Sequence, residues 1–300
     1  MNNKKIRVVF IGCVKFSKEI IDTLFTSDCI QIVGIITKRK SKFNSDFYSL
    51  ASIAKKKSIP CLFYEKENDR QISIFLKELK IELGLCFGWS NIIKSSILNI
   101  PKLGFIGYHP ADLPKNRGRH PIIWTIFLGL KSMTSTFFKM DKYIDGGEVI
   151  DKIKIKVSEK DNAESLYNKV CINAKKQIQK FLPKYLNGCI KLKKQNLSKG
   201  NYWRKRSKID GIIDWRMNYN AIQNLVRALG KPYQGASTFY KNKEFTVWSI
   251  TKGPKVKNNI EPGKIIRIHR QNILVKCWEK SIWITEHNFD MLPKESEYLE

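Results

Sequence analysis

His109 and Asp145 are the side chains of this sequence whose types and spacing best suit proton transfer. His109 opens a proline-rich run, residues 109–121, that neither a regular helix nor a regular strand can accommodate, so we predict a shaped loop. Asp145 precedes two glycines, 36 residues further along the chain. A histidine beside a carboxylate suits general acid–base chemistry near neutral pH. On these residues alone, a structural histidine and a turn aspartate are the more common alternative.

The N-terminal half contains alternating strand and helix patterns that would carry His109 to the end of a strand. Apolar runs of strand length alternate with segments of helical periodicity, which predicts an α/β fold with a Rossmann-like parallel sheet. The predicted strands are residues 6–12, 30–37, 59–63, 82–87 and 104–108. Ligands of such sheets bind beyond the carboxyl ends of the strands, which is where His109 and the loop after residue 87 would lie.

The first strand ends in a single glycine, Gly12, and not in a G-x-G-x-x-G fingerprint. The second strand is followed by Lys38, Arg39 and Lys40, where a dinucleotide-binding fold places an acidic residue. We therefore expect no dinucleotide cofactor.

The C-terminal part has a different pattern. Short strands separated by polar turns occupy residues 235–240, 244–250, 263–269, 273–277 and 282–285. This pattern predicts a smaller β-barrel-like (OB-like) domain. We predict a catalytic domain over residues 1–190, a basic and polar linker over residues 191–210, and the small domain over residues 211–300.

Composition limits the class of protein. The seven cysteines form no C-x-x-C pair, which predicts reduced thiols with neither a disulfide framework nor a metal site. No apolar run reaches the roughly 20 residues of a membrane span, and residues 1–12 do not resemble a signal peptide, so we expect a cytoplasmic protein. The net charge of +28 fits either a lysine-rich composition or attraction of an anionic substrate.

Several motifs together resemble the folate-dependent formyltransferases. In the N-terminal half they are His109-Pro110, residues 113–121, residues 134–140 and Asp145-Gly146-Gly147. In the C-terminal part they are residues 213–215, 224–229, 232–236 and 245–248. The family includes methionyl-tRNA formyltransferase and the N-formyltransferases of nucleotide-linked amino sugars.

The resemblance implies 10-formyltetrahydrofolate as cosubstrate, a primary amine as acceptor and no metal. It makes His109 and Asp145 the catalytic residues. It also implies a folate site formed by Phe87, Gly88, Trp89, Ser90, Asn91, Ile92, Ile144 and Asp145. One position departs from the family, which usually has an asparagine two residues before the histidine, where this chain has Gly107. A backbone N–H or a water must then stabilise the oxyanion of the reaction.

We expect the acceptor to be an amino sugar attached to a nucleotide. Arginine groups could hold its phosphates by bidentate contacts and an aromatic ring could stack on its base. The predicted substrate-binding residues are Tyr108, Pro110, Lys115, Asn116, Arg117, Gly118, Arg119, Trp203 and Arg204.

Two features favour a nucleotide-linked amino sugar, including an amino nonulosonate of pseudaminic type, as the substrate. The run from Arg117 to Pro121 resembles the sugar-modifying members, and the loop over residues 37–43 is short. The alternatives are methionyl-tRNA formyltransferase, which the positive charge would suit, and a non-catalytic RNA-binding relative. Further expectations are a role in glycan biosynthesis, no membrane partner, nucleic acid as the less favoured partner, and a homodimer as one open option.

Overall fold

The computed structural model describes residues 4–41, 45–65 and 68–300. The chain divides into two compact units whose segments alternate along the sequence. The first unit comprises Met1–Gly118, Met133–Ile155 and Asn168–Trp203, and the second comprises Arg119–Ser132, Lys156–Tyr167 and Arg204–Glu300. The domain boundaries that we set at residues 190 and 211 remain a prediction. The predicted short loop over residues 37–43 lies partly outside the described residues.

A seven-stranded sheet forms the centre of the first unit. Its strands, numbered in chain order, are β1 (Ile6–Ile11), β2 (Ile30–Thr37), β3 (Cys61–Phe63), β4 (Leu83–Cys86), β5 (Phe105–His109), β7 (Ser132–Lys139) and β8 (Val149–Lys156). The spatial order is β3-β2-β1-β4-β5-β7-β8. The five strands β1 to β5 are all parallel to one another, and β7 pairs with β5 in the antiparallel sense. A separate pair joins β6 (Arg117–Gly118) to β9 (Tyr202–Trp203).

Helices cover the sheet because its strands are apolar on both faces. The helices of this unit are α1 (Lys15–Leu24), α2 (Ala51–Lys56), α3 (Asp69–Glu78), α4 (Ser95–Leu98) and, from Asn168 onward, α6 (Ala163–Leu186). Helix α5 (Pro121–Phe127) belongs to the second unit. Ile72 and Leu76 of α3 pack with Val9 and Ile11 of β1 in a buried cluster. This packing fixes the strand ends, and therefore the loops that follow them.

The second unit contains α7 (Tyr219–Leu229) and a five-stranded antiparallel sheet. Its strands are β10 (Ala236–Tyr240), β11 (Lys243–Lys252), β12 (Ile265–His269), β13 (Asn272–Lys276) and β14 (Ser281–His287), in the order β10-β11-β14-β13-β12. Residues near the C-terminal end bridge the two edge strands, since Phe239 exchanges backbone hydrogen bonds with Glu300 and Ile265 N donates to the Glu297 carbonyl. The predicted fold class, an α/β domain with a smaller barrel-like β domain, is confirmed.

Three expectations concern disulfides, metal sites and membrane-spanning segments. All seven cysteines are free. Across the described residues, no group of three or more histidine, cysteine and acidic side chains is arranged to hold a metal ion. In the same part of the chain, no helix combines the length and the apolar character that crossing a membrane requires.

Candidate active site

His109 lies at the carboxyl end of β5 and is only 6% exposed. Its Nε2 atom is 2.9 Å from the carbonyl oxygen of Asn116. A carbonyl can only accept, so Nε2 carries the proton and donates it. In the neutral ring Nδ1 then holds the lone pair, and it lies 3.7 Å from Oδ2 of Asp145. Nδ1 is therefore the ring atom that can take up a proton, with a carboxylate beside it to stabilise the resulting charge.

Asp145 reaches His109 from a tight turn between β7 and β8. The backbone at Asp145 is left-handed (φ 52°), and its Oδ2 accepts a hydrogen bond from Gly118 N at 3.2 Å. The carboxamide of Gln195 donates to the carbonyl oxygens of Asp145 and Gly147 at 3.0 and 2.6 Å. Ile144, the preceding residue, is 53% exposed.

The loop after His109 turns back so that Asn116 can contact the histidine ring. Asn116 is also left-handed (φ 61°), and its N–H donates to Oδ1 of Asn201 at 2.8 Å. Thr136 of β7 pairs with His109 of β5, and its hydroxyl donates to the Ala111 carbonyl at 2.7 Å. The loop that holds His109 is therefore ordered by hydrogen bonds on both sides.

Arg117, which we predicted to bind the substrate, is buried. It is 4% exposed, its guanidinium lies 4.1 Å from the ring centre of Tyr202, and one of its nitrogens donates to the Leu197 carbonyl at 3.3 Å. Among the described residues its Nε has no hydrogen-bond partner. Next to it, a Cβ on Gly118 would lie 2.5 Å from the carbonyl oxygen of Trp203, so only glycine fits there.

Gly107 lies on the same face of β5 as His109, because alternate residues of a strand share a face. Its pairing partner on the neighbouring strand β7 is Phe138. A Cβ at position 107 would lie 2.7 Å from Cζ of Phe138 and 2.9 Å from Cγ of Met140. The space that an asparagine side chain would occupy is therefore filled by the ring of Phe138 and by Met140.

The loop after β4, predicted to hold folate, begins in the core. Phe87 is fully buried and packs edge-on against Phe10, with ring centres 5.7 Å apart. Gly88 is left-handed (φ 68°), and a Cβ there would lie 2.3 Å from a methyl group of Val14. Ser90 is half-buried. Because β4 and β5 are adjacent parallel strands, this loop and His109 lie at the same edge of the sheet.

The outer part of this loop combines apolar and cationic groups. Trp89 packs edge-on against Tyr64, and Nζ of Lys38 lies 5.1 Å from the Trp89 ring centre while donating to Oδ1 of Asn91 at 2.5 Å. The indole N–H of Trp89 is buried and has no acceptor among the residues that the structure describes. Ile92 is 73% exposed. A flat ligand with an acceptor at its edge would satisfy both the N–H and the exposed apolar surface.

Three other predicted substrate-binding residues of the first unit differ in exposure. Tyr108 lies on the opposite face of β5 from His109, where its ring stacks on Phe16 and its hydroxyl contacts Ser135 at 2.8 Å. Burial raises the pKa of this phenol far above its usual value. Pro110 is half-buried and Lys115 is exposed. Their roles toward a substrate remain predictions.

Arg119 and Arg204 belong to the second unit. Arg204 makes two hydrogen bonds to the Asp210 carboxylate, and this pairing holds the pKa of Asp210 well below its usual range. Arg206 is buried, with its guanidinium 4.9 Å from the ring centre of Trp124. In this unit, then, Arg204, one of the two arginines that we predicted to bind the substrate, already has a carboxylate partner.

Gln195 and Asn201 contact this site but were not predicted from the sequence. Both lie in the stretch that we predicted as a linker, where polar residues between lysines carry no periodic signal. No pattern in the sequence pairs Gln195 with Asp145, which lies 50 positions earlier in the chain. The same holds for Asn201 and Asn116, which are 85 positions apart.

Residues 4–182 match the protein family described as Formyl transferase, and residues 205–294 match the Formyl transferase, C-terminal domain. This chain belongs to the formyl transferase family. The predicted family and its class of enzyme are therefore confirmed.

Two curated relatives and one solved structure extend this family match. The chain is 33% identical, over 79% of its length, to the bifunctional polymyxin resistance protein ArnA of Wigglesworthia glossinidia brevipalpis, of which it spans 36%. It is 30% identical to the methionyl-tRNA formyltransferase of Caldanaerobacter subterraneus subsp. tengcongensis, over 93% of this chain and 91% of that protein. The N-formyltransferase of Helicobacter canadensis, solved with folinic acid and dTDP-3-aminofucose, is 17% identical, covers 93% of this chain and 98% of its own, and superimposes with a TM-score of 0.67. That last likeness shows the fold.

Proposed function

We propose that this formyl transferase family member moves a formyl group from 10-formyltetrahydrofolate to the primary amine of a nucleotide-linked amino sugar. The observation that carries the proposal is the pairing of His109 Nδ1 with Asp145 Oδ2 at the carboxyl edge of the sheet. The loop over residues 87–92 follows the adjacent strand, so the donor and the proton-transfer pair would share that edge.

In this proposal His109 acts as base and then as acid. When bound, the donor supplies an electrophilic formyl carbon to which the amine nitrogen bonds. His109 accepts the amine proton at Nδ1 as that bond forms, and it returns the proton to the donor nitrogen as the carbon–nitrogen bond to the donor breaks. Asp145 stabilises the imidazolium between the two steps. Nε2 keeps its hydrogen bond to the Asn116 carbonyl throughout both steps, which keeps the orientation of the His109 ring fixed.

We propose that the residues after β4 contact the pterin part of a folate. A narrow, mainly apolar pocket there is lined by Ile11, Ile36, Tyr64, Asp69, Ile72, Trp89 and Ile97 among others. It has room for about one water molecule, so the pterin would have to widen it on binding. The buried, unpaired indole N–H of Trp89 offers a donor to a heteroaromatic ring. We propose that residues 87–92, with Ile144 and Asp145, hold the donor.

Gly107 changes how the oxyanion of the reaction is stabilised. With Phe138 and Met140 over Gly107, no side-chain amide occupies the position beside His109. We propose that a backbone N–H or a bound water donates to the oxyanion instead.

Two acceptors compete, and each has an observation in its favour. The run from Arg117 to Pro121 and the complex of the Helicobacter canadensis relative with dTDP-3-aminofucose favour a nucleotide-linked amino sugar. The 30% identity to a methionyl-tRNA formyltransferase over nearly the whole chain, together with the charge of +28, favours charged initiator tRNA. The finer hypothesis, an amino nonulosonate of pseudaminic type, belongs to the first group.

Mass spectrometry of the products tests the acceptor. The protein is incubated with 10-formyltetrahydrofolate and, separately, with dTDP- and UDP-linked amino sugars, an amino nonulosonate and methionyl initiator tRNA. We expect a formamide with one of the sugar substrates. Formylation of the tRNA alone would overturn the sugar assignment. Salt-sensitive RNA binding with neither folate binding nor any formamide would support a non-catalytic RNA-binding protein instead.

A further inference from the structure

Both turns that hold the proposed catalytic pair contain a left-handed residue. Asp145 (φ 52°) carries the carboxylate, and Asn116 (φ 61°) provides the carbonyl that receives the His109 proton. Outside glycine such a backbone costs roughly 1–2 kcal/mol, and Asn and Asp tolerate it best. A strained conformation of this kind persists only where surrounding contacts enforce it.

Gln195 enforces the turn at Asp145. Its Nε2 has two hydrogens, and both are used, one on the Asp145 carbonyl and one on the Gly147 carbonyl. Its Oε1 is buried and has no partner among the described residues, so the side chain is held only by these two bonds. An unpaired buried acceptor costs about 1–3 kcal/mol, a cost that an apolar side chain of the same size would avoid.

Asn201 enforces the turn at Asn116. Its Oδ1 accepts from Asn116 N at 2.8 Å, and its carbonyl oxygen accepts from Arg117 N at 3.1 Å. The carbonyl of Asn116, on the other side of the same residue, faces the His109 ring. Rotation of this turn would therefore remove the acceptor that keeps the proton on Nε2.

Residues 195–203 thus contact both turns from one short segment, which we call the positioning segment. A 3-10 helix, Leu197–Lys199, lies between Gln195 and Asn201. We infer that Gln195 and Asn201 are positioning residues that set the geometry of Asp145 and His109 for formyl transfer. This inference rests on the proposed function, but its structural part can be measured without turnover.

The first test replaces Gln195 with Met, which has a similar shape and no donor. We expect kcat to fall about 10- to 100-fold, since displacements of about 1 Å cost that much, while KM for the amine changes less than about threefold. Thermal stability should fall moderately, because the Asp145 and Gly147 carbonyls each lose a donor and removal of the unpaired Oε1 offsets only part of that loss. Asn196→Ala is the matched control. The side-chain oxygen of Asn196 accepts from Ser198 N and Oγ, while the hydrogen bonds to the two turns come from Gln195 and Asn201, so its loss should leave kcat within about twofold.

The second test uses a pair of substitutions at Asn201. Asp keeps an oxygen that accepts from Asn116 N, whereas Leu has none. Asn201→Asp should retain most of the wild-type kcat, and Asn201→Leu should lose about tenfold. A segment that served only to connect two parts of the chain would tolerate both changes equally.

Imidazole 15N NMR provides the measurement that does not depend on turnover. The chain has four histidines, so the ring resonances can be assigned by substitution. We expect Gln195→Met and Asn201→Leu to shift the His109 ring signals and to leave those of His269 and His287 unchanged. If the wild type forms no formamide with any amine, the proposed function fails, and the NMR comparison still decides the positioning role. Unchanged His109 signals and kcat in Gln195→Met, or an equal loss of kcat in Asn196→Ala, would overturn the inference.

Discussion

His109 and His120 stand eleven positions apart in one proline-rich run, yet their surroundings are opposite in charge. In the first unit, His109 faces the Asp145 carboxylate and the Asn116 carbonyl. In the second unit, His120 is half-buried, and its Nδ1 has no hydrogen-bond partner among the described residues. The charged groups that act on His120 are mainly cationic, with Asp210 as the one acidic group among them.

The consequence for His120 is a lowered pKa. Burial contributes most, and Arg119, Arg206 and Lys205 add repulsion, while Asp210 opposes them weakly. His120 therefore stays neutral where a free histidine would begin to charge. His109, with a carboxylate at its free nitrogen, is arranged to accept a proton. The comparison teaches that the neighbours, and not the residue type, determine which histidine suits acid–base catalysis.

The largest expected effect is on turnover when each histidine becomes asparagine. Asn tolerates the left-handed backbone of His120 (φ 55°), and the same residue change is made at both positions, so the two variants are matched in size. His109→Asn should lower kcat by about 10²- to 10⁴-fold, because the proton acceptor is gone. His120→Asn should leave kcat within about threefold. Formamide production under saturating donor and amine measures both. Equal losses in the two variants would remove the distinction between them.

The next effect concerns the carboxylate that distinguishes the two sites. Asp145→Asn preserves the turn, since Asn is at ease in the left-handed region, but it removes the charge facing Nδ1 of His109. We expect kcat to fall about 10²-fold with thermal stability nearly unchanged. Asp145→Ala should lose the same activity and, in addition, about 1 kcal/mol of unfolding free energy. Turnover near the wild-type rate in Asp145→Asn would show that the imidazolium needs no partner.

Much of this contrast was accessible from the sequence. Apolar strands β1 to β5 and the prolines after His109 place that histidine at a strand end, because strand patterning and proline geometry are local properties. The pairing of His109 with Asp145 required the family resemblance, since no local rule connects residues 36 positions apart.

Arginine roles were beyond sequence reasoning because burial depends on tertiary packing. Arg117 lies under Tyr202 and contacts the Leu197 carbonyl, two residues that come from a segment about 80 positions later. Arg204 is paired with Asp210. An arginine can thus be buried and hydrogen-bonded to a backbone carbonyl, or form an ion pair at the surface. Composition does not distinguish these two outcomes.

A smaller effect tests the packing beside His109. Gly107→Asn introduces a side chain into the space filled by Phe138 and Met140, and such overpacking costs about 1–3 kcal/mol of unfolding free energy. Activity should not rise in this variant. Phe138→Ala will destabilise the fold by itself, because it empties a buried position. In a double-mutant cycle we expect Gly107→Asn to cost less in the Phe138→Ala background than in the wild type, because the ring opposite position 107 is removed. Urea denaturation of the wild type, the two single variants and the double variant provides the comparison. Full stability in the single variant would contradict the packing that we describe.

The smallest effect is on the pH dependence of stability and arises at His120. Its pKa is lowered in the folded chain, so below about pH 6.5 the unfolded chain binds the proton more readily than the folded chain does. This histidine therefore destabilises the fold progressively as the pH falls through that value. His120→Asn removes this contribution, so the difference in unfolding free energy between pH 7.5 and pH 5.5 should be smaller than in the wild type. Urea titrations at the two pH values measure it. An identical difference in both proteins would mean that neither burial nor the cationic neighbours of His120 oppose its protonation.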